Sequence, residues 1–338
     1  MKAMIRTQLL LLGALLALLA SAPAMASFAQ RSEVQGFVEE MVREHAFDRG
    51  RLMHLLGEAE TREDILAAIA RPAEAKPWRD YRPIFVTDDR IRGGVAFWRE
   101  HADALAAAER EFGVSAHVIV AIIGVETRYG RHTGRYRVLD ALATLAFDYP
   151  PRSEFFRGQL SQYLLMTREE GIDPRELTGS YAGAMGQPQF MPSSFRHFAV
   201  DFDSDGRRDL WRNPVDVIGS VANYFHMHGW RPGAPVVHRL TDRARLETVA
   251  SRALEPTLPV KELTALGVET PQAAPDEKVS VVRLDGQNGP EYWLARHNYY
   301  VITRYNRSLH YAMAVHQLGE AIRAAIGAAV RTAARETR

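Results

Sequence analysis

Residues 115–130 read Ser115-Ala116-His117-Val118-Ile119-Val120-Ala121-Ile122-Ile123-Gly124-Val125-Glu126-Thr127-Arg128-Tyr129-Gly130. The run before Glu126 is apolar on every helical face, the pattern of a helix buried on all sides. Ser115 is a candidate N-cap and Gly130 a candidate C-terminal stop. Glu126 is therefore expected in the last turn of a core helix, with apolar neighbours on one side and a cleft on the other. Burial without an ionic partner disfavours a charged carboxylate and raises its pKa. A carboxyl that stays protonated near neutral pH suits a general acid. The plainer alternative is a structural glutamate bonded to Arg128 or another basic residue.

Outward from this helix the pattern stays helical. Short amphipathic segments occupy residues 32–70, with Val34, Phe37, Val38, Met41 and Val42 on one face. Residues 71–83 read as a Pro/Trp/Tyr-containing connection, and Val95, Trp98, Ala102, Leu105 and Ala108 predict one helix over 94–112. Further helices are expected over 140–146, 155–166, 216–228 and from Ser308 onward. Residues 179–192 carry too many glycines and prolines for a regular element and read as a shaped loop. Between residues 231 and 294 prolines and Val-Val pairs predict a small, partly β insertion.

The 338-residue chain is long enough for two or three domains. Its 42 Lys and Arg nearly balance 41 Asp and Glu, which gives no sign of a nucleic-acid partner. Residues 1–26 pair an N-terminal positive charge with an apolar core, Leu9 to Leu19, and a small-x-small site at Ala24-Met25-Ala26. That is an export signal, with cleavage expected before Ser27; the apolar core is too short for a comfortable membrane span. The chain has no cysteine, which excludes disulfides, thiolate chemistry and a lipid-bearing N-terminal Cys. A soluble periplasmic protein is expected.

Two further segments carry chemistry. Asp201-Phe202-Asp203-Ser204-Asp205-Gly206-Arg207 has carboxylates at positions one, three and five and Gly at six, the start of an EF-hand calcium loop. The usual acid at position twelve is replaced by Arg212, and Asp216 is the candidate to close the sphere in a longer loop; an Asx-rich turn without an ion is the alternative. The other segment is Gly179-Ser180-Tyr181-Ala182-Gly183-Ala184-Met185-Gly186-Gln187-Pro188-Gln189-Phe190-Met191-Pro192-Ser193-Ser194. Its glycines permit close backbone approach, its Gln side chains both donate and accept, and its aromatic rings offer flat faces, a surface suited to a sugar.

Together with residues 124–130, 201–224 and the tail Asn298-Tyr299-Tyr300-Val301-Ile302-Thr303-Arg304-Tyr305-Asn306, these segments resemble the membrane-bound lytic murein transglycosylase B family. The resemblance covers nearly all of the chain after residue 26 and is weakest across the insertion. It implies a mainly α (α+β) fold: a goose-lysozyme-like helical core at 101–230, a flanking helical domain at 27–100 completed by 295–338, and a small partly β domain at 231–294. It implies cleavage of the β-1,4 bond between N-acetylmuramic acid and N-acetylglucosamine in peptidoglycan, with a 1,6-anhydromuramoyl product. Residue by residue, Glu126 matches the single acid/base. Tyr81, Ser180, Gln189, Phe190, Tyr224, Asn298, Tyr300 and Tyr305 match or neighbour the sugar-binding positions. Asp201, Asp203, Asp205, Arg207 through its carbonyl, and Asp216 match an elongated loop for structural Ca2+. Peptidoglycan glycan strands are the expected partner, with other cell-wall enzymes as further candidates. The chain departs from the family in lacking the lipobox cysteine often found there, and in placing Pro188 before the second Gln of the loop.

Ordinary glycosidases need two carboxylates across the scissile bond. The nearby candidates in sequence, Asp140 and Asp148, read as a helix N-cap and a turn residue. One carboxylate suffices if the substrate supplies the second nucleophile. A hydrolytic muramidase on the same fold and a non-catalytic peptidoglycan-binding protein remain as alternatives.

Overall fold

The computed structural model of the protein describes residues 28–70 and 76–336. The expected export signal and part of the 71–83 connection lie outside them. The chain divides into two compact units, Met1–Thr61 and Arg62–Arg338.

In the first unit a 3-10 turn, Phe28–Gln30, precedes helices α1 (Ser32–His45) and α2 (Arg49–Gly57). Helix α1 buries Val34, Phe37, Val38 and Met41, the face expected from the spacing, and ends in the left-handed Ala46. Asp48 Oδ1 accepts the Arg51 N–H at 2.7 Å and so caps α2.

The second unit opens with α3 (Glu63–Ile69), α4 (Trp78–Phe85), α5 (Asp88–Glu100), α6 (Ala102–Phe112) and α7 (Ala116–Thr127). The single helix expected over 94–112 is two, because the chain leaves helical geometry at His101 (φ −115°, ψ 29°). Part of the 71–83 connection is helical too: α4 tolerates Pro83 late in its run, where the segment is almost over. Next come β1 (Tyr136–Arg137), α8 (Val138–Asp148), α9 (Ser153–Glu170), β2 (Thr178–Gly179), α10 (Pro192–Phe198) and α11 (Pro214–Met227). Asp140 is no N-cap; it sits in the first turn of α8 and binds Arg137 at 2.6 Å.

The insertion holds β3 (Val237–Leu240), α12 (Arg243–Leu246), β4 (Leu258–Pro259), α13 (Val260–Ala265), β5 (Lys278–Gly286) and β6 (Gly289–Ala295). Its strands form an antiparallel sheet in the order β3-β6-β5-β4. Leu240, Leu246, Val260, Leu263, Val281, Tyr292 and Leu294 build its own apolar core. Helices α14 (His297–Tyr305) and α15 (Leu309–Glu336) close the chain.

Most of α7 is completely buried, Ile119 to Ile123 without exposed surface, as an all-apolar helix requires. Helix α15 packs along α4, α5, α7 and α14, and β5 lies against α4. The approach of α15 to α7 is close: a Cβ on Gly319 would stand 2.9 Å from the His117 carbonyl oxygen. A helix from the far C-terminus binds the 76–100 segment to the core.

Candidate active site

Helix α7 stops one residue after Glu126. Arg128 (φ 52°) and Tyr129 (φ 62°) take the left-handed conformation ahead of Gly130 (φ 81°), so Arg128 occupies the cap position expected of glycine. Non-glycine residues rarely adopt it, and here the surroundings enforce it. The Arg128 N–H donates to the Gly124 carbonyl and the Tyr129 N–H to that of Ile123, each at 3.2 Å. Thr127 Oγ1 donates to the Gln187 carbonyl at 2.8 Å and accepts from the Gly130 N–H at 3.0 Å. The Tyr129 hydroxyl donates to the Arg90 carbonyl at 2.6 Å. Glu126 is thus presented by a turn tied both to α5 and to the 180s loop. Ser115 precedes α7 as expected, but its side chain makes no capping bond.

The partner of Glu126 is Tyr311 on α15, whose hydroxyl donates to Glu126 Oε1 at 2.5 Å. Arg128 is exposed and makes no pair with it. Glu126 keeps some surface open to solvent, but the protein packed around it desolvates its charge and pushes its pKa up to about 7; the Tyr311 bond and the Arg90 charge oppose that rise. Tyr305 and Tyr311, both near Glu126, are themselves held well above the usual phenol range by burial and by that neighbour. Tyr311 was invisible in the sequence because it sits among Leu309, Ala312, Met313 and Val315 and reads as one more core position of a C-terminal helix.

Around this pair stand several of the expected residues. The Tyr305 ring lies 4.7 Å from Tyr224, 5.9 Å from Phe190 and 6.4 Å from Tyr311, the last nearly parallel. Tyr81 acts on Tyr311 electrostatically and packs 5.4 Å from His310 and 5.0 Å from Phe85. Phe190 and Tyr81 are each only 2% exposed, so they shape the wall from behind its surface. Tyr224 is anchored by its hydroxyl, which donates to the Arg304 carbonyl at 2.6 Å.

The 179–192 loop is as shaped as its composition predicts. Met185 and Phe190 exchange backbone bonds of 2.8 and 3.0 Å around a tight turn, and Gln189 N–H reaches the Gly186 carbonyl. Gly186 is required: its φ is 66°, and a Cβ there would lie 2.6 Å from the Leu210 carbonyl oxygen. Pro188 fits because none of these bonds needs its nitrogen, while its carbonyl accepts the Tyr305 hydroxyl at 2.6 Å. Gln189 (φ 52°) spends its amide on the carbonyls of Thr133 and Gly186, and Ser180 Oγ accepts from Ala182 and Ala184 N–H. Both side chains remain partly exposed.

Two expected residues do not join the group. Asn298 has no exposed surface; its amide donates to the carbonyls of Arg231 and Ala234 and accepts the Arg231 N–H, clamping that loop. Tyr300 lines a different cavity, of about 460 Å³, with Arg231, Glu255, Lys278 and His297.

Between α10 and α11 the carboxylates of Asp201, Asp203 and Asp205 converge, each offering an oxygen within 4.8 Å of the others. Backbone N–H groups of Asp205 and Gly206 donate to Asp201, and that of Arg207 to Asp205 at 2.9 Å. Asp216 has no exposed surface and is not in this cluster. Its two oxygens accept the N–H groups of Phe202 and Asp209, both at 2.8 Å, and so pin the two sides of the loop. Burial first, and the charges of Asp203 and Asp201 after it, raise the Asp216 pKa against those two bonds.

A lysozyme-like helical architecture with one desolvated glutamate set among tyrosine rings defines a class of glycan-cleaving enzyme. The model of the transglycosylase SLT domain matches residues 29–320, and the chain belongs to that family. It is 45% identical over 315 residues to membrane-bound lytic murein transglycosylase B of Escherichia coli, covering 87% of this chain and 84% of that one. The soluble lytic transglycosylase SltB1 of Pseudomonas aeruginosa superposes with a TM-score of 0.84 at 54% identity, over 87% of this chain and 99% of its own. The Escherichia coli lytic transglycosylase Slt35, solved in complex with calcium, does so with a TM-score of 0.81 at 45% identity, over 88% and 95%. The protein is accordingly an enzyme of the lytic transglycosylase class, lyases acting on murein.

Proposed function

We propose that the enzyme cleaves the β-1,4 bond between N-acetylmuramic acid and N-acetylglucosamine without water, leaving a 1,6-anhydromuramoyl end, with Glu126 as both acid and base. The observation that carries this reading is the solitude of Glu126. Among the described residues the groups acting on it are Tyr311 and Arg90, and no carboxylate is among them. Asp140, one of the two nearby acids in sequence, is taken by Arg137. A hydrolytic mechanism on two carboxylates lacks its second group.

Glu126, protonated up to about pH 7, gives its proton to the glycosidic oxygen as the C1–O bond breaks. The 2-acetamido carbonyl of the muramoyl residue shelters the positive charge at C1. The carboxylate then takes the proton of the C6 hydroxyl while that oxygen bonds to C1, which returns Glu126 to its starting form. Tyr311 holds the carboxyl in place and donates to its charged form, easing the first step. Tyr305, the partly exposed ring of this wall, suits contact with a sugar, and Tyr81, Phe190 and Tyr224 pack behind it and exclude water.

The convergent carboxylates of Asp201, Asp203 and Asp205, with Asp216 behind them, suit a hard cation bound by oxygen, and Ca2+ fits that donor set; the Arg207 carbonyl is a further ligand in this reading. Bound there, Ca2+ neutralises the loop and stabilises it, taking no part in the chemistry. The reading also places the enzyme outside the cytoplasm, at the cell wall. Among the described residues no helix is long and apolar enough to cross a membrane.

Mass spectrometry of murein digested by the purified enzyme tests the assignment. Anhydro products, one water lighter than reducing-end products, are expected; reducing ends as the main product overturn it.

A further inference from the structure

Among the described residues, the buried side-chain atoms without a hydrogen-bond partner are Nε and Nη1 of Arg90 and Nε1 of Trp230. Arg90 is 7% exposed. Its guanidinium stands 5.1 Å from the centre of the Phe85 ring and makes no ion pair. Asp89, its neighbour in sequence, is exposed and faces Arg92 at 3.6 Å. A guanidinium does not escape such a site by deprotonating, although burial lowers its pKa. Burying a cation with unpaired donors opposes folding, so the fold carries Arg90 at a loss.

The position of Arg90 gives a reason. The Arg90 carbonyl accepts the Tyr129 hydroxyl at 2.6 Å, three residues from Glu126. The next turn of α5 is pressed against the same ring: a Cβ on Gly94 would lie 2.7 Å from that hydroxyl oxygen. The backbone of α5 that carries Arg90 is thereby fixed relative to the turn that presents Glu126, and the two charges act on each other. The remaining groups facing the pair are Tyr311 from α15, Tyr305 from α14, Asp89 from α5, and Arg128 and Tyr129 from the turn itself. Of these, Tyr305, Tyr311 and Tyr129 stay neutral through the working range because burial raises their pKa values.

We infer that Arg90 is a positioning residue for the reaction: a buried, unpaired guanidinium held within electrostatic reach of Glu126, so that the carboxylate formed by the first proton transfer meets a positive charge already in place. The inference rests on Glu126 as the acid/base. Before proton transfer the cation has no anionic partner; afterwards it has one, so its stabilisation is directed at the charged intermediate. Arg90 therefore speeds the reaction by lowering the cost of ionising Glu126, while weakening the resting fold.

The test compares Arg90→Lys, which keeps the charge, with Arg90→Met, which removes it. The carboxyl carbon of Glu126 is followed by NMR in protein carrying ¹³C-labelled glutamate, the resonance being identified by its loss in Glu126→Gln. The titration midpoint is expected to rise by roughly half a unit or more in Arg90→Met and to stay near wild type in Arg90→Lys. Turnover should fall about tenfold in Arg90→Met, and its alkaline limb should move to higher pH, with no lower melting temperature. If Arg90→Met does not fold, Arg90→Gln serves in the same comparison. An unchanged midpoint in the neutral variant, or equal shifts in both variants, overturns the inference. Activity surviving in Glu126→Gln would instead remove the acid/base reading, and the midpoints remain measurable in either case.

Discussion

Glu126 and the acidic loop are two answers to one difficulty, the negative charge on a carboxylate. Glu126 stands alone at the end of an apolar helix, with a phenol on one oxygen and a guanidinium within electrostatic reach, and it meets the difficulty by keeping its proton. In the loop Asp201, Asp203 and Asp205 crowd together at the surface, with backbone N–H groups already on their oxygens, and their residual repulsion suits a divalent cation. Desolvation of a single acid suits a proton donor; convergence of several suits a cation. Asp216 belongs between the two, buried like Glu126 yet answering to the loop's charges.

Removing the proton from this contrast should have the largest effect. Glu126→Gln keeps the shape and the Tyr311 contact but cannot donate, so turnover should fall at least about 100- to 10,000-fold, with more expected because one group serves both steps. Retention of a tenth of wild-type activity on murein would show that the two sites do not divide the work as described.

The loop should respond to the opposite treatment. Chelation should lower the melting temperature, with up to about 2.7 kcal/mol at stake when Ca2+ is at a hundredfold excess over its Kd. Asp201→Ala and Asp205→Ala should reproduce the loss, and turnover per folded molecule should be little changed. A melting curve indifferent to chelator and to restored Ca2+ removes the ion from the account.

The pH dependence of stability separates the sites further. The folded pKa of Glu126 is raised from 4.5 to about 7, so the native state holds a proton that the unfolded state has released across that window. The stabilisation is fully present below the unfolded value and is lost as pH rises through the folded one. Near pH 8 Glu126→Gln should therefore be more stable than wild type by ~1–3 kcal/mol, and near pH 4 the two should converge. Denaturant melts at both pH values decide it, and a constant difference between them refutes the desolvated acid.

The smallest effect is expected at Tyr311→Phe. Losing a hydrogen bond to the charged form of Glu126 should cost about tenfold in turnover and move the alkaline limb upward. A limb that moves downward would mean that Tyr311 favours the protonated form.

Much of this was legible along the chain. The uniform apolar pattern of α7 announced a buried helix, the Asp-x-Asp-x-Asp-Gly run announced a cation-ready turn, and the glycines and prolines of the 180s announced a loop bent on purpose. Each signal is local: the residues that make the feature are consecutive, so their spacing carries the geometry. What the chain did not reveal shares the opposite cause. Asn298, Tyr300 and Tyr305 lie in one short tail motif, but the first faces the Arg231–Ala234 loop, the second another cavity, and the third reaches the neighbourhood of Glu126. Consecutive positions on a helix point in different directions, and the neighbours that meet them come from elsewhere in the chain.

By itself, then, the sequence determined that a carboxyl would be buried at a helix end and that three aspartates would gather on one turn, because helix burial and Asx-rich turns are written in adjacent residues. Only the tertiary structure decided what surrounds that carboxyl. It brought Tyr311 from 185 positions away onto Oε1, set Arg90 within electrostatic reach, and gave Asp140 to Arg137. A pKa is the sum of burial and of every charge and hydrogen bond nearby, and those neighbours are chosen by packing between helices distant in sequence.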